Sequence, residues 1–279
     1  MRIELAEHAG YCYGVERALK LARQAARAYP KPIYTLGPII HNPQVVKSLE
    51  EQGIYPASNL NEIRKGTMII RSHGVDPQII TGAKKKGIHI VDATCPFVKK
   101  AQQRASKLVR EGYELVIVGE RDHPEVIGIL AHAGGKALVA EKPSDLESLK
   151  GKKKIGVVVQ TTQPEENLKL VVGELLTRAT EIKVFNTICD ATIKRQAVAR
   201  ELAKRVDIML IVGGKNSANT SRLAQICRQT NPQTHHIETA KELNPAWFET
   251  NSHVGVTAGA STPDWILREV VDRLSQISQ

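Results

Sequence analysis

The 279-residue chain is 42% hydrophobic and carries a formal net charge of +10, so it can bury a sizeable core and favours anionic partners. No apolar run approaches the ~18 to 20 residues that cross a bilayer, and Met1-Arg2-Ile3-Glu4 opens no signal-peptide pattern; both point to a cytoplasmic protein without a membrane partner. Aromatic residues make up only 4% of the chain, a thin set for stacking bases, which argues against nucleic acid.

In chain order, the first landmark is Cys12. A helix-like stretch leads from it to the aliphatic run Ile33-Tyr34-Thr35-Leu36-Gly37. After Gly37-Pro38-Ile39-Ile40-His41, Asn42 is a good N-cap and Pro43 fits a first helical position, so a helix is expected over Gln44 to Gln52 with Gly53 as its stop. A strand is expected over Thr67 to Ile70 and another over Ile88 to Val91. Between them Lys84-Lys85-Lys86 beside Gly87 reads as a solvated turn face. Then Cys95 restarts the pattern with a helix over Phe97 to Arg110, stopped by Gly112, and the run Leu115-Val116-Ile117-Val118-Gly119. Past Lys152-Lys153-Lys154, a second solvated face, come strands at Ile155 to Val159 and Ile182 to Phe185. Cys189 opens a third copy ending in Met209-Leu210-Ile211-Val212-Gly213, with a last strand at Val254 to Val256.

The cysteine-to-glycine separations are 25, 24 and 24 positions, and four positions beyond each glycine stands His41, His123 or Ser217. The chain is therefore one unit written three times. Short apolar runs alternating with helices indicate parallel strands covered on both faces. The expected fold is α/β, three similar small domains with parallel sheets; if they pack with pseudo-threefold symmetry, their three thiols converge on the axis. The cysteines bound the copies, giving an N-terminal segment 1–12 and domains 13–95, 96–188 and 189–279.

Intracellular thiols stay reduced, so four widely spaced cysteines point to metal binding, catalysis or burial. Their distances match no zinc-finger spacing. Three at equivalent repeat positions, lacking an obvious fourth protein ligand, suit an iron–sulfur cluster with one iron open to substrate. Cys227 lies in the helical pattern Arg222 to Arg228, outside the repeat, and reads as a small buried hydrophobe. His41 and His123 stand beside helix starts, where free N–H groups favour an anion; Ser217 and Asn219 occupy the third such turn. Ser72-His73-Gly74, Gln160-Thr161-Thr162 and Gly259-Ala260-Ser261 follow strands, where parallel sheets place ligands. Glu125 is the carboxylate among these groups, either a proton donor if enclosed or a first-turn partner of the helix dipole.

Several motifs in order make the chain resemble the 4-hydroxy-3-methylbut-2-enyl diphosphate reductases: Gly10-Tyr11-Cys12-Tyr13-Gly14-Val15, Gly37-Pro38-Ile39-Ile40-His41-Asn42, Arg71-Ser72-His73-Gly74-Val75, Asp92-Ala93-Thr94-Cys95-Pro96, His123-Pro124-Glu125-Val126, Thr187-Ile188-Cys189 and Thr257-Ala258-Gly259-Ala260-Ser261. The resemblance implies an oxidoreductase of isoprenoid biosynthesis, the last step of the methylerythritol phosphate route. It implies three α/β domains around a central cavity, one [4Fe-4S] cluster per chain there on Cys12, Cys95 and Cys189, and diphosphate held by His41, His73, His123, Ser217, Asn219 and Ser261. Glu125 with Thr161 would deliver the proton for the departing hydroxyl, and the products would be isopentenyl and dimethylallyl diphosphates. The basic surface suits an acidic electron donor such as flavodoxin or ferredoxin. Where the family commonly has two adjacent serines before the asparagine, this chain reads Ser217-Ala218-Asn219, so Ala218 offers only its N–H. Residue patterns alone also leave an open-iron hydro-lyase and a non-catalytic iron–sulfur sensor as alternatives; a hydro-lyase would turn over without a reductant.

Overall fold

In a computed structural model, every residue is described except 150, 152, 278 and 279. The chain forms three four-stranded sheets, and all their pairings are parallel. The first holds β2 (Ile33–Leu36), β3 (Ile54–Ala57), β4 (Thr67–Ile70) and β5 (His89–Asp92) in the order β3-β2-β4-β5. The second repeats that order with β6 (Glu114–Val118), β7 (Leu138–Ala140), β8 (Lys154–Val159) and β9 (Glu181–Phe185) as β7-β6-β8-β9. In the third, β10 (Ile208–Val212), β11 (Thr234–Ile237) and β12 (His253–Ala258) take the same places, and the fourth strand is β1 (Arg2–Leu5) from the other end of the chain. Arg2 registers with His253 and Leu5 with Val256, so residues 2–5 are part of the third sheet's hydrogen-bonded ladder.

Each candidate cysteine precedes a helix that leads to an inner strand: α1 (Tyr13–Ala28), α4 (Pro96–Arg110) and α7 (Asp190–Ala203). The inner strands carry the continuous apolar runs because both their faces are covered; β4 and β10 are buried at every position. Edge strands have less apolar character. β1 alternates charge, β3 contains Pro56, β7 has three residues and β11 contains two histidines. Those four are the strands the aliphatic pattern does not show, and the proline is placed where an edge tolerates a missing N–H.

The other helices are α2 (Pro43–Glu51), α3 (Pro77–Lys85), α5 (Pro124–His132), α6 (Glu165–Leu176), α8 (Ala218–Thr230) and α9 (Asp264–Ile277). Gly53 and Gly112 take φ of +80° and +81° just past α2 and α4, the left-handed stop expected of them. Lys84, Lys85 and Lys86 are exposed at the end of α3. Of the second lysine run, Lys152 lies outside the described residues, Lys153 is exposed and Lys154 begins β8 with its ammonium 3.2 Å from Glu181.

The chain divides into two compact units, one of residues 1–15, 40–45 and 190–279, the other of residues 16–39 and 46–189. The first contains the third sheet, with cores on both faces: Leu210, Val256 and Ile266 on one, Ile211, Leu223 and Leu202 on the other. In the second, Met68, Ile70 and Ile63 pack on the first sheet, and Leu115, Ile117 and Leu108 on the second. Fully burying each such side chain contributes roughly 1.5 to 3 kcal/mol. Among the described residues, no helix is long and apolar enough to cross a membrane.

Candidate functional site

All four cysteines are thiols; Cys12, Cys95 and Cys189 are half-buried and Cys227 is buried. The three repeat cysteines share one backbone anchor. The Cys95 N–H donates to the Ser72 carbonyl at 2.9 Å, the Cys189 N–H to Thr161 at 3.1 Å and the Cys12 N–H to Ala260 at 3.3 Å. Ser72, Thr161 and Ala260 each stand two positions past the third strand of their sheet, β4, β8 and β12. A thiol is thus fixed at the carboxyl edge of every sheet, where parallel strands place ligands. Cys227 instead lies in the α8 core with its Sγ 3.6 Å from the Ala199 carbonyl. Burial pushes its thiol up to about 12, which leaves it a packing residue.

In the first unit, Ser217 caps α8, its Oγ accepting from the Thr220 N–H at 3.4 Å, so its own proton is available for another acceptor. Asn219, on the first turn of that helix, is 6% exposed, and neither its Nδ2 nor its Oδ1 has a partner. An unsatisfied buried amide costs about 1 to 3 kcal/mol, so the Asn219 side chain is a cost to the fold and a group with hydrogen bonds left to give. Ser261 is buried and donates to the His41 carbonyl at 3.1 Å. Its proton therefore holds the His41 loop, and its lone pairs remain. Gly214 approaches the same carbonyl; a Cβ there would stand 2.7 Å from the His41 oxygen, so any side chain would displace the loop. Asn42 caps α2 through the Val45 N–H at 3.0 Å, which places His41 one residue before the cap. In the other two copies His123 and Ser217 are themselves the caps. Equal counts from the glycine thus do not give equal roles.

In the second unit, His123 Nδ1 accepts from the Glu125 N–H at 3.1 Å. A neutral His123 then carries its proton on Nε2, leaving that nitrogen as a donor. The His73 and His123 rings meet edge to face with centroids 5.5 Å apart. Glu125 is 1% exposed and both its oxygens meet Thr161: the Thr161 N–H donates to Oε1 at 2.7 Å and its hydroxyl to Oε2 at 2.8 Å. Burial raises the carboxyl to about 7 against the lowering effect of those bonds, because the charged form loses its hydration. Glu125 is thus more than a first-turn dipole partner: it is a buried acid held near neutrality, and the carbonyl of its partner Thr161 also accepts from the Cys189 N–H.

Similarity to known proteins gives the family. The LytB protein family profile matches residues 3–275. The chain belongs to the LytB family. It is 56% identical to the 4-hydroxy-3-methylbut-2-enyl diphosphate reductase of Pelobacter propionicus, over all of this chain and 99% of that protein. A solved (E)-4-hydroxy-3-methyl-but-2-enyl diphosphate reductase, described as the terminal enzyme of the non-mevalonate pathway, is 49% identical with a TM-score of 0.73, covering 99% of this chain and 100% of the other. The corresponding reductase of Plasmodium falciparum is 29% identical with a TM-score of 0.93, covering 98% and 88%.

Two arginines escaped the sequence reading of this LytB chain. Arg17 on α1 donates to the Thr94 carbonyl at 3.1 Å, bracing the turn before Cys95. Arg195, 3% exposed on α7, donates to the His8 and Gly10 carbonyls at 3.0 and 2.8 Å, bracing the loop before Cys12. Their signal was a basic residue five or six positions past a repeat cysteine, where a helix interior would ordinarily hide an apolar side chain.

Proposed function

We propose that this chain reduces (E)-4-hydroxy-3-methylbut-2-enyl diphosphate to isopentenyl and dimethylallyl diphosphates, with Cys12, Cys95 and Cys189 as the three ligands of a [4Fe-4S] cluster. The observation that carries the ligand assignment is the shared anchor of the three thiols at the carboxyl edges of equivalent sheets. Three thiolates without a fourth protein ligand fit a cluster that keeps one iron open. When bound, the cluster supplies two electrons, one at a time, and Lewis acidity.

The reaction consumes two electrons and two protons: the C–O bond breaks, a C–H bond forms and the oxygen leaves as water. The chain's own residues bind, orient and protonate. Asn219 and Ser217, with His41, His73 and His123, hold the diphosphate, and Ser261 joins them when its proton turns from the His41 carbonyl to a phosphate oxygen; the unsatisfied Asn219 amide and the Ser217 hydroxyl are donors suited to phosphate oxygens. Ala218 contributes at most a backbone N–H. Glu125, protonated at neutral pH in a large fraction of molecules, gives its proton to the leaving hydroxyl while Thr161 fixes both carboxyl oxygens. A positioned acid of this kind contributes about 10² to 10⁴-fold. Two electrons come from outside the chain, and an acidic one-electron carrier protein fits its +10 charge.

Anaerobic turnover of the diphosphate with a chemical reductant, together with about four irons per chain, is the expected result. Each of Cys12→Ser, Cys95→Ser and Cys189→Ser lowers iron content, and Cys227→Ser leaves it unchanged. Protein that binds zinc alone, or that turns over without a reductant, overturns the reading.

A further inference from the structure

Helix α4, which starts at Cys95, is the most one-sided charged element beside a repeat thiol. Its sequence holds five cations, Lys99, Lys100, Arg104, Lys107 and Arg110, and no carboxylate. Helices α1, α5, α6, α7 and α9 each carry an acid in the first turn, whereas α2, α3, α4 and α8 have none there, and α4 also places Lys99 and Lys100 close behind that turn. Lys107 and Arg110 in the last turn complement the helix dipole, whereas Lys99 and Lys100 near its start do not.

Not all five cations are available. Lys99 pairs with Asp92 at 2.5 Å and Lys107 with Glu111 at 3.7 Å. Lys100 and Arg104, between these pairs, are in no ion pair among the described residues. Arg104 lies over the Phe185 ring, 4.5 Å from its centroid, which joins α4 to the strand that runs into Cys189. The repeat sharpens the anomaly at Lys100. It stands five positions past Cys95, as Arg17 stands five past Cys12. Arg17 is spent on the Thr94 carbonyl, whereas Lys100 is exposed and its ammonium has no hydrogen bond among the described residues. Phe97, two positions past Cys95, is 39% exposed. An exposed aromatic, two unpaired cations and a cation-covered ring thus form one patch whose near end is a proposed cluster ligand. Along the helix axis Lys100 lies roughly 7 Å and Arg104 roughly 13 Å from Cys95.

We propose that this patch, Phe97, Lys100 and Arg104 of α4 with Phe185 of β9, is where a small acidic electron-carrier protein docks. The inference rests on the reductase reading above. Each turnover needs two electrons, delivered one at a time by a carrier that is oxidised and leaves. Such encounters use small interfaces and depend on charge for their rate. A cationic rim around an exposed aromatic beside the thiol meets those needs, and docking there shortens the path from carrier to Cys95.

The test compares two electron sources on the loaded enzyme: reduced flavodoxin, as an acidic protein probe, and dithionite with a viologen mediator. Lys100→Glu combined with Arg104→Glu should lower flavodoxin-supported kcat/KM at least about 10-fold at low ionic strength, with the gap closing as salt is added. Turnover with dithionite should stay within about twofold, while Lys100→Arg with Arg104→Lys should keep wild-type rates with both sources. An unchanged flavodoxin rate in the charge reversal places the carrier elsewhere and overturns the proposal, as does an equal loss with both reductants. Failure of the wild-type enzyme to turn over with dithionite would instead overturn the reductase reading.

Discussion

The candidate polar groups of the two units are finished to different degrees. In the second unit Glu125 already has both oxygens engaged, by the backbone and hydroxyl of Thr161, and its buried acid is complete without any ligand. In the first unit Asn219 is also buried, yet neither of its amide atoms has a partner among the described residues. In the proposed reaction the proton donor is set by the protein itself, whereas the anion-binding amide is satisfied only when an anion arrives. A proton donor must hold its pKa before substrate enters, whereas a binding group gains most affinity when its donors are desolvated and waiting.

The sharpest way to break the contrast is Glu125→Gln. It keeps the shape and removes the proton, and kcat measured with a chemical reductant should fall by about 10² to 10⁴-fold with KM little changed. A wild-type rate would remove Glu125 from the mechanism. Titration supplies the next effect. In the proposed reaction the protonated acid is the active form, so kcat should decline as pH rises through about 7, approaching about tenfold per unit well above it. The same group makes a signed prediction for stability. Its folded-state value lies above the ordinary 4.5, so the unfolded chain ionises first and stability falls as pH rises between about 4.5 and about 7. Glu125→Gln should remove that part of the slope in denaturant titrations.

Asn219→Ala should do the reverse of a structural deletion. Removing an unsatisfied buried amide leaves stability equal or higher, while KM for the diphosphate rises about tenfold, the loss of about one hydrogen bond to a charged group. A marked fall in melting temperature would show that Asn219 serves the fold. The smallest effect belongs to Ser261→Ala. Its hydroxyl is spent on the His41 carbonyl, so the variant should lose about 1 kcal/mol of stability and raise KM only a fewfold.

Much of this was legible in the chain. The inner strands stood out because burial on both faces forces an unbroken apolar run, as in Ile208-Met209-Leu210-Ile211-Val212. The edge strand Thr234–Ile237, with one side of its ladder open, needs no such run and left no pattern. The cysteine triplet was legible because each thiol must begin a helix after an edge strand, a constraint that keeps its distance from the next inner strand constant. Arg17 and Arg195 were harder to read, since their carbonyl partners lie 77 and more than 180 residues away.

By itself, then, the sequence determined the repeat, the parallel α/β class and the set of polar groups after the strands, because periodicity and turn chemistry are local. Tertiary structure alone decided that the N-terminal strand completes the last sheet and that Thr161 holds both oxygens of Glu125. It also decided that burial outweighs those bonds in setting the acid near 7 and that Asn219 is left without a partner. Those outcomes depend on desolvation and on pairings between residues far apart in the chain, and neither is written in local spacing.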